Sequence, residues 1–144
     1  MAPPVVEREV LVAAPPDLVF AYFTDPERMR TWMGVRCELQ PRPGGVFRVD
    51  VNGRNTARGE FVEVVPYTRV VFSFGWEGAD QPVPPGSSTV EVTLQPSQGG
   101  TLVRLRHHGL PEAAVEAHTQ GWTHYLARLR IAAEGGDPGP DSMI

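Results

Sequence analysis

Apolar and polar residues alternate with a period of two along most of this chain, and the period becomes helical only near its two ends. Val6, Val10 and Val12 fall on one parity of Val5 to Val12, with Glu7 and Glu9 on the other, which predicts a first strand. Pro15-Pro16-Asp17 then opens a short helix, since proline in the first helical turn loses no intrahelical bond. Leu18, Val19, Tyr22 and Phe23 give that helix an apolar side. Asp25-Pro26-Glu27 starts a second, with Asp25 as its cap and Met29 and Trp32 turned inward before Gly34 stops it.

From Val35 onward the alternation is that of strands. Val35, Cys37 and Leu39 alternate with Arg36, Glu38 and Gln40, and Phe47, Val49 and Val51 alternate with Arg48, Asp50 and Asn52. Asn52-Gly53 is a strong hairpin signal. Thr56 to Val65 and Arg69 to Trp76 follow, the second with Val70, Phe72, Phe74 and Trp76 on one face. Glu77 to Ser88, with three Pro and two Gly, is a loop. Thr89 to Leu94 and Thr101 to His107 close the run as a hairpin, with Arg104 and Arg106 pointing away from the apolar side. Glu60 and Glu63 lie on opposite parities of one strand, and Gly59 marks a candidate bulge, so which of the two faces inward stays open.

The last long segment, Pro111 to Glu134, predicts a helix about 34 Å long at 1.5 Å per residue. Val115, His118, Thr119, Trp122, Leu126 and Leu129 form its stripe, with Tyr125 beside it. Gly121 in mid-helix costs about 1 kcal/mol relative to alanine, and close approach of the helix backbone to the sheet or to a short helix is the expected compensation. Residues 1–134 read as one domain, and 135–144, rich in Gly and Pro, as a disordered tail. The order is strand, two short helices, about six antiparallel strands and one long helix. A sheet with one face this apolar must curl around a partner, and the terminal helix is the partner left for it.

Composition narrows the function classes. The net charge is −4, and all 13 basic residues are arginine, scattered rather than clustered, with those on the strands alternating with apolar residues. Nucleic-acid binding needs clustered positive charge, so it is not expected. No run approaches the length of a membrane span, and the N-terminus has no signal-peptide pattern. Cys37 is the only cysteine, so an intramolecular disulfide is excluded, which suits the cytoplasm.

The four histidines do not make a metal site. His107 and His108 are adjacent on a strand and point to opposite faces, and His118 and His124 lie on different sides of the helix. No metal, cofactor or catalytic constellation is expected, because no HExxH, GxSxG, paired-cysteine or phosphate-loop pattern occurs. His107 and His118 either supply polar contacts inside a pocket or are satisfied within the protein.

Several strings in order resemble one family. They are Val10 to Pro16 followed by Val19 and Phe20, Asp25-Pro26-Glu27 with Trp32, and Gly44-Gly45-Val46-Phe47. Gly59 to Pro66 leading to Arg69-Val70-Val71-Phe72 continues the series, and Gly121-Trp122 ahead of Leu126 and Leu129 ends it. Over residues 5–134 the chain resembles the START/Bet v 1-like (SRPBCC) superfamily, and within it the homologues of the activator of heat-shock-protein-90 ATPase C-terminal domain. The resemblance implies an α+β helix-grip fold, a curved antiparallel sheet of about seven strands wrapped around a long C-terminal helix, with two short helices after the first strand. It also implies an apolar cavity between sheet and helix that holds a hydrophobic small molecule.

The walls expected for such a cavity are Trp32, Phe47, Phe72, Phe74, Trp76, Trp122, Tyr125 and Leu126, with His107 and His118 orienting the ligand. Two further readings remain: a co-chaperone-like or stress-response module that binds a protein partner or a second copy, and a cyclase- or hydrolase-like enzyme.

Overall fold

The computed structural model describes residues 5–141. Strand β1 (Val5–Val12) leads into helices α1 (Pro16–Thr24) and α2 (Pro26–Met29). Strands β2 (Arg36–Leu39), β3 (Val46–Asp50), β4 (Thr56–Val65), β5 (Arg69–Phe74), β6 (Ser88–Ser97) and β7 (Gly100–His108) follow, and helix α3 (Glu112–Ala133) comes last. The strands form one sheet in the order β1-β7-β6-β5-β4-β3-β2, every pairing antiparallel. The first strand therefore pairs with the last, and Val6 lies opposite His107 and Val10 opposite Val103.

The local signals explain the short elements. α1 starts on Pro16, and the Asp25 carboxylate accepts the Glu27 N–H at 3.0 Å to cap α2. On the inner sheet face Phe47, Phe61, Phe72 and Phe74 are fully buried, with Phe47 stacked on Phe72 at a centroid distance of 4.0 Å. Each such ring pair adds about 0.5–1.5 kcal/mol beyond the area it buries.

α3 lies across this face and is held at its C-terminal half by polar ties. The Tyr22 hydroxyl donates to the Ala132 carbonyl at 3.2 Å, the Arg128 Nε–H to the Trp32 carbonyl at 3.0 Å, and the Ala13 N–H to the Glu134 carboxylate at 2.8 Å. The Trp32 indole N–H donates in turn to the Tyr22 carbonyl at 2.9 Å, so α1, the α2 corner and α3 form one bonded unit.

Both Glu60 and Glu63 are exposed, which resolves the open question in favour of neither. Phe61 is the inward residue, and the register shifts between Phe61 and Glu63, so Val62 and Glu63 both end on the outer side. The bulge lies there and not at Gly59. Gly59 has a different reason: a Cβ would stand 1.9 Å from the Ser73 carbonyl oxygen of β5.

The outer sheet face carries ion pairs. Arg69 bridges Glu63 and Glu91 at 2.8 and 2.7 Å, Arg104 meets Glu9 at 3.2 Å, and Arg106 meets Glu7 at 3.1 Å. The Arg69 hydrogen bond holds the Glu91 carboxyl below its usual range. This is the solvated face that the arginine alternation predicts.

Two segments make contacts that their composition does not reveal. The Glu77–Ser88 loop buries Val83, whose carbonyl accepts the Trp76 N–H at 2.7 Å, and Glu77 forms a two-pronged pair with Arg48. Of the 135–144 segment expected as a disordered tail, residues 135–141 are described and 142–144 lie outside the described residues. Asp141 accepts the His124 ring N–H at 2.7 Å and the Tyr125 hydroxyl, and Arg128 reaches the Pro138 and Pro140 carbonyls. A charged clamp on two helix side chains and two backbone carbonyls offsets the entropy of a Gly/Pro segment, and composition alone does not reveal it.

Candidate functional site

A pocket of about 340 Å³ opens where the first half of α3 passes the end of the sheet. The sheet supplies Phe74 and Trp76, the β3–β4 hairpin supplies Val51, Asn52 and Asn55, and Met33 comes from the turn after α2. α3 supplies Ala117, Gly121 and Tyr125, spaced by four, and His118 and Trp122 one position further round. No lining side chain is charged.

Five residues expected at a cavity line this pocket: Phe74, Trp76, His118, Trp122 and Tyr125. The other five stand behind it in the core. Trp32 packs on Phe23, Phe47 and Phe72 stack together, and Leu126 and His107 are buried. Met33, Val51, Asn52, Asn55, Ala117 and Gly121 line it without having been expected there. Asn52-Gly53 signals a turn, but alternation says nothing about where the tip of a hairpin comes to rest.

The two histidines are fully engaged within the protein. The Trp122 indole N–H donates to His107 Nδ1 at 3.0 Å, so that nitrogen carries no proton. His107 Nε2 lies 2.8 Å from Ser88 Oγ, and the Ser88 hydroxyl donates to the Phe74 carbonyl at 2.7 Å. His107 Nε2 must therefore be the donor, and the ring is the neutral Nε2–H tautomer. Burial, reinforced by the neighbouring His118 and His108, lowers its pKa to about 3. His107 thus anchors Trp122 rather than facing a ligand.

His118 takes the opposite tautomer. Its Nδ1–H donates to the Ala114 carbonyl at 2.8 Å, and its Nε2 accepts the Trp76 indole N–H at 3.0 Å. Both pocket tryptophans are thereby held by a histidine nitrogen. Tyr125 is fixed through Asp141, and burial, then the hydrogen bond to that carboxylate, raise its phenol above the usual tyrosine range. The tail thus holds one pocket wall in place.

Gly121 departs from its expected role. A Cβ built on it meets no heavy atom within 4 Å, so no close approach of α3 to the sheet calls for glycine there. The position lies on the pocket face instead.

The pocket wall is mostly apolar and aromatic. Its lining includes no Asp, Glu, Lys, Arg, Cys, Ser or Thr, and among the described residues no group of three or more His, Cys, Asp or Glu side chains is arranged to hold a metal. Cys37 lies elsewhere, its thiol pushed up to about 12 by burial, which leaves it a poor nucleophile.

A family profile described as Activator of Hsp90 ATPase homolog 1-like protein matches residues 13–134. The chain belongs to this family. No curated protein matches the sequence. An AHSA1-like protein from Rhizobium etli, solved in solution, is 53% identical at a TM-score of 0.75, over 98% of this chain and 88% of that one. DynU16, described as a protein in the dynemicin biosynthetic locus, is 29% identical at a TM-score of 0.80 over 93% of this chain, which spans about half (48%) of its length. The Aha1 dimer from Colwellia psychrerythraea, 18% identical over 92% of this chain and 98% of that one at a TM-score of 0.78, shares the fold. The AHSA1-like chain has the helix-grip architecture of these neighbours, the curved sheet closing on α3. No helix among its described residues is long and apolar enough to cross a membrane.

Proposed function

We propose that this chain binds a small hydrophobic molecule in the pocket between the β3–β4 hairpin, the Phe74–Trp76 segment and α3. The observation that carries the reading is a wall containing two tryptophans, each held by a histidine, around about 340 Å³ with no charged side chain. That volume lies at the lower end of the roughly 300–1,000 Å³ common for small-molecule sites, which are mostly apolar with a few fixed polar groups. A relative described as a protein in a biosynthetic locus, that of dynemicin, is in keeping with this reading. The protein acts as a cytoplasmic binding module, without a chemical step at the pocket.

The test is a screen of lipids and aromatic compounds, read by Trp fluorescence and melting temperature. Binding raises the melting temperature and perturbs Trp76 and Trp122 emission, and Trp76→Ala removes both responses. A library that shifts neither signal overturns the reading.

A second reading rests on Val62, Val65 and Tyr67, which are 55%, 42% and 54% exposed around the β4–β5 turn. This apolar patch would dock a protein partner or a second copy. Light scattering that finds a dimer, broken by Val62→Glu, supports it; a monomer that recovers no partner counts against it.

A further inference from the structure

A glycine inside a helix has two usual structural reasons, and Gly121 has neither. Its φ is not among the positive values that favour glycine. It also touches no neighbour that a methyl group would displace. Glycine's third use is to let a ligand approach the backbone closely, and Gly121 lies on the pocket face between Ala117 and Tyr125.

The rest of the lining defines what would lie there. Trp76, Trp122, Tyr125 and Phe74 offer aromatic surface, which favours a π system in stacked or edge-on contact. With no charged lining side chain, a buried ligand charge would lack a partner. Two amides stand at the hairpin end of the pocket. Asn52 Oδ1 is occupied by the Arg54 and Asn55 N–H groups at 2.9 and 2.8 Å, so its NH₂ is the end it can offer, and the exposed Asn55 side chain stands at the same rim. Asn52 therefore supplies a donor, the Asn55 amide can turn its own NH₂ to the same place, and the rim matches a ligand acceptor.

We propose that Gly121 is the shape-determining position for an uncharged, planar aromatic ligand, which lies flat on the α3 backbone among the tryptophan and tyrosine rings and turns a carbonyl or ether oxygen to the Asn52 and Asn55 amides. This rests on the binding reading above and adds the ligand class and the residue that selects it.

The experiment titrates the full chain with three matched probes, followed by calorimetry and Trp fluorescence. Acetonaphthone is flat, neutral and carries a carbonyl; naphthoate has the same rings and a negative charge; dodecanone has the carbonyl on a flexible chain. Acetonaphthone binds at least about tenfold more tightly than either of the others. Gly121→Leu, whose side chain fills the space over the helix backbone, weakens acetonaphthone by about tenfold or more while the melting temperature is kept or raised. Gly121→Ala gives a smaller loss and checks that folding is intact.

Equal affinity for naphthoate or dodecanone overturns the ligand class and leaves hydrophobic binding standing. Undiminished binding by Gly121→Leu overturns the role of Gly121. If none of the three binds while other library members do, the class fails alone; if nothing in the wider library binds, the binding reading fails with it.

Discussion

The Trp122 indole N–H ends on Nδ1 of His107 at 3.0 Å, and this one bond fixes both the tautomer of the histidine and the place of the tryptophan in the pocket wall. Protonating Nδ1 would set two N–H groups against each other in a buried space, in line with the pKa of about 3. The unfolded chain takes up this proton near 6.5, the ordinary histidine value, and the folded chain does not. Stability from His107 is thus complete above pH 6.5 and is lost as pH falls toward 3, with a slope of up to about 1.4 kcal/mol per pH unit. His107→Gln removes that part of the slope in denaturant titrations between these limits. Imidazole nitrogen NMR at pH 5 should still show the neutral Nε2–H form; an imidazolium signal from His107 at that pH would contradict the relay.

Trp122→Phe keeps an aromatic ring but removes the donor, leaving His107 Nδ1 buried without a partner. The expected cost is about 1–3 kcal/mol in urea unfolding, and Trp122→Ala costs about 3–5 kcal/mol because it also opens a cavity. Combined with a His107 variant, Trp122→Phe should be clearly non-additive. Additive losses would mean that the bond contributes nothing of its own.

Two glycines should respond in opposite directions to the same change. Gly59→Ala places a Cβ 1.9 Å from a β5 carbonyl, which forces the strands apart and costs about 1–3 kcal/mol or more. Gly121→Ala adds a methyl where nothing lies within 4 Å, and helix propensity predicts a gain of up to about 1 kcal/mol. Thermal melts of the two variants check both signs. A destabilised Gly121→Ala would show that the helix backbone is packed after all.

Asp141→Ala tests the tail. The Tyr125 phenol is held high first by burial and then by the Asp141 bond, so the variant should titrate at a lower pH than wild type without reaching the free value. In the wild type this raised pKa is a contribution present below about pH 10 and lost as pH rises beyond it. The variant loses less over that range. Ultraviolet phenolate titration and alkaline melts report the two effects, and an unchanged Tyr125 titration would refute the clamp.

Alternation was enough to place the seven strands, because one sheet face is wet and the other is buried. It also put His107 inward and Arg104 and Arg106 outward. What it missed depended on contacts distant in sequence. Glu60 and Glu63 both face out because a bulge follows Phe61, and Gly59 is there for Ser73 instead. Asp141 meets His124 and Tyr125 across a turn of Gly and Pro that reads locally as loose chain. In the pocket the aromatic walls were legible from the apolar stripe. The amides of Asn52 and Asn55 were not, since turn residues reveal a bend but not the space into which it points.

Oily contact alone holds a helix on a sheet without fixing its position along its own axis. A slip of one turn, about 5.4 Å, would still leave apolar residues against apolar residues. The Trp122–His107–Ser88–Phe74 chain can be made in only one such position, because each link has a single donor and a single acceptor. It acts as a dowel that indexes α3 against β5, β6 and β7. The depth of the hollow beside it is thereby the same in every folded copy.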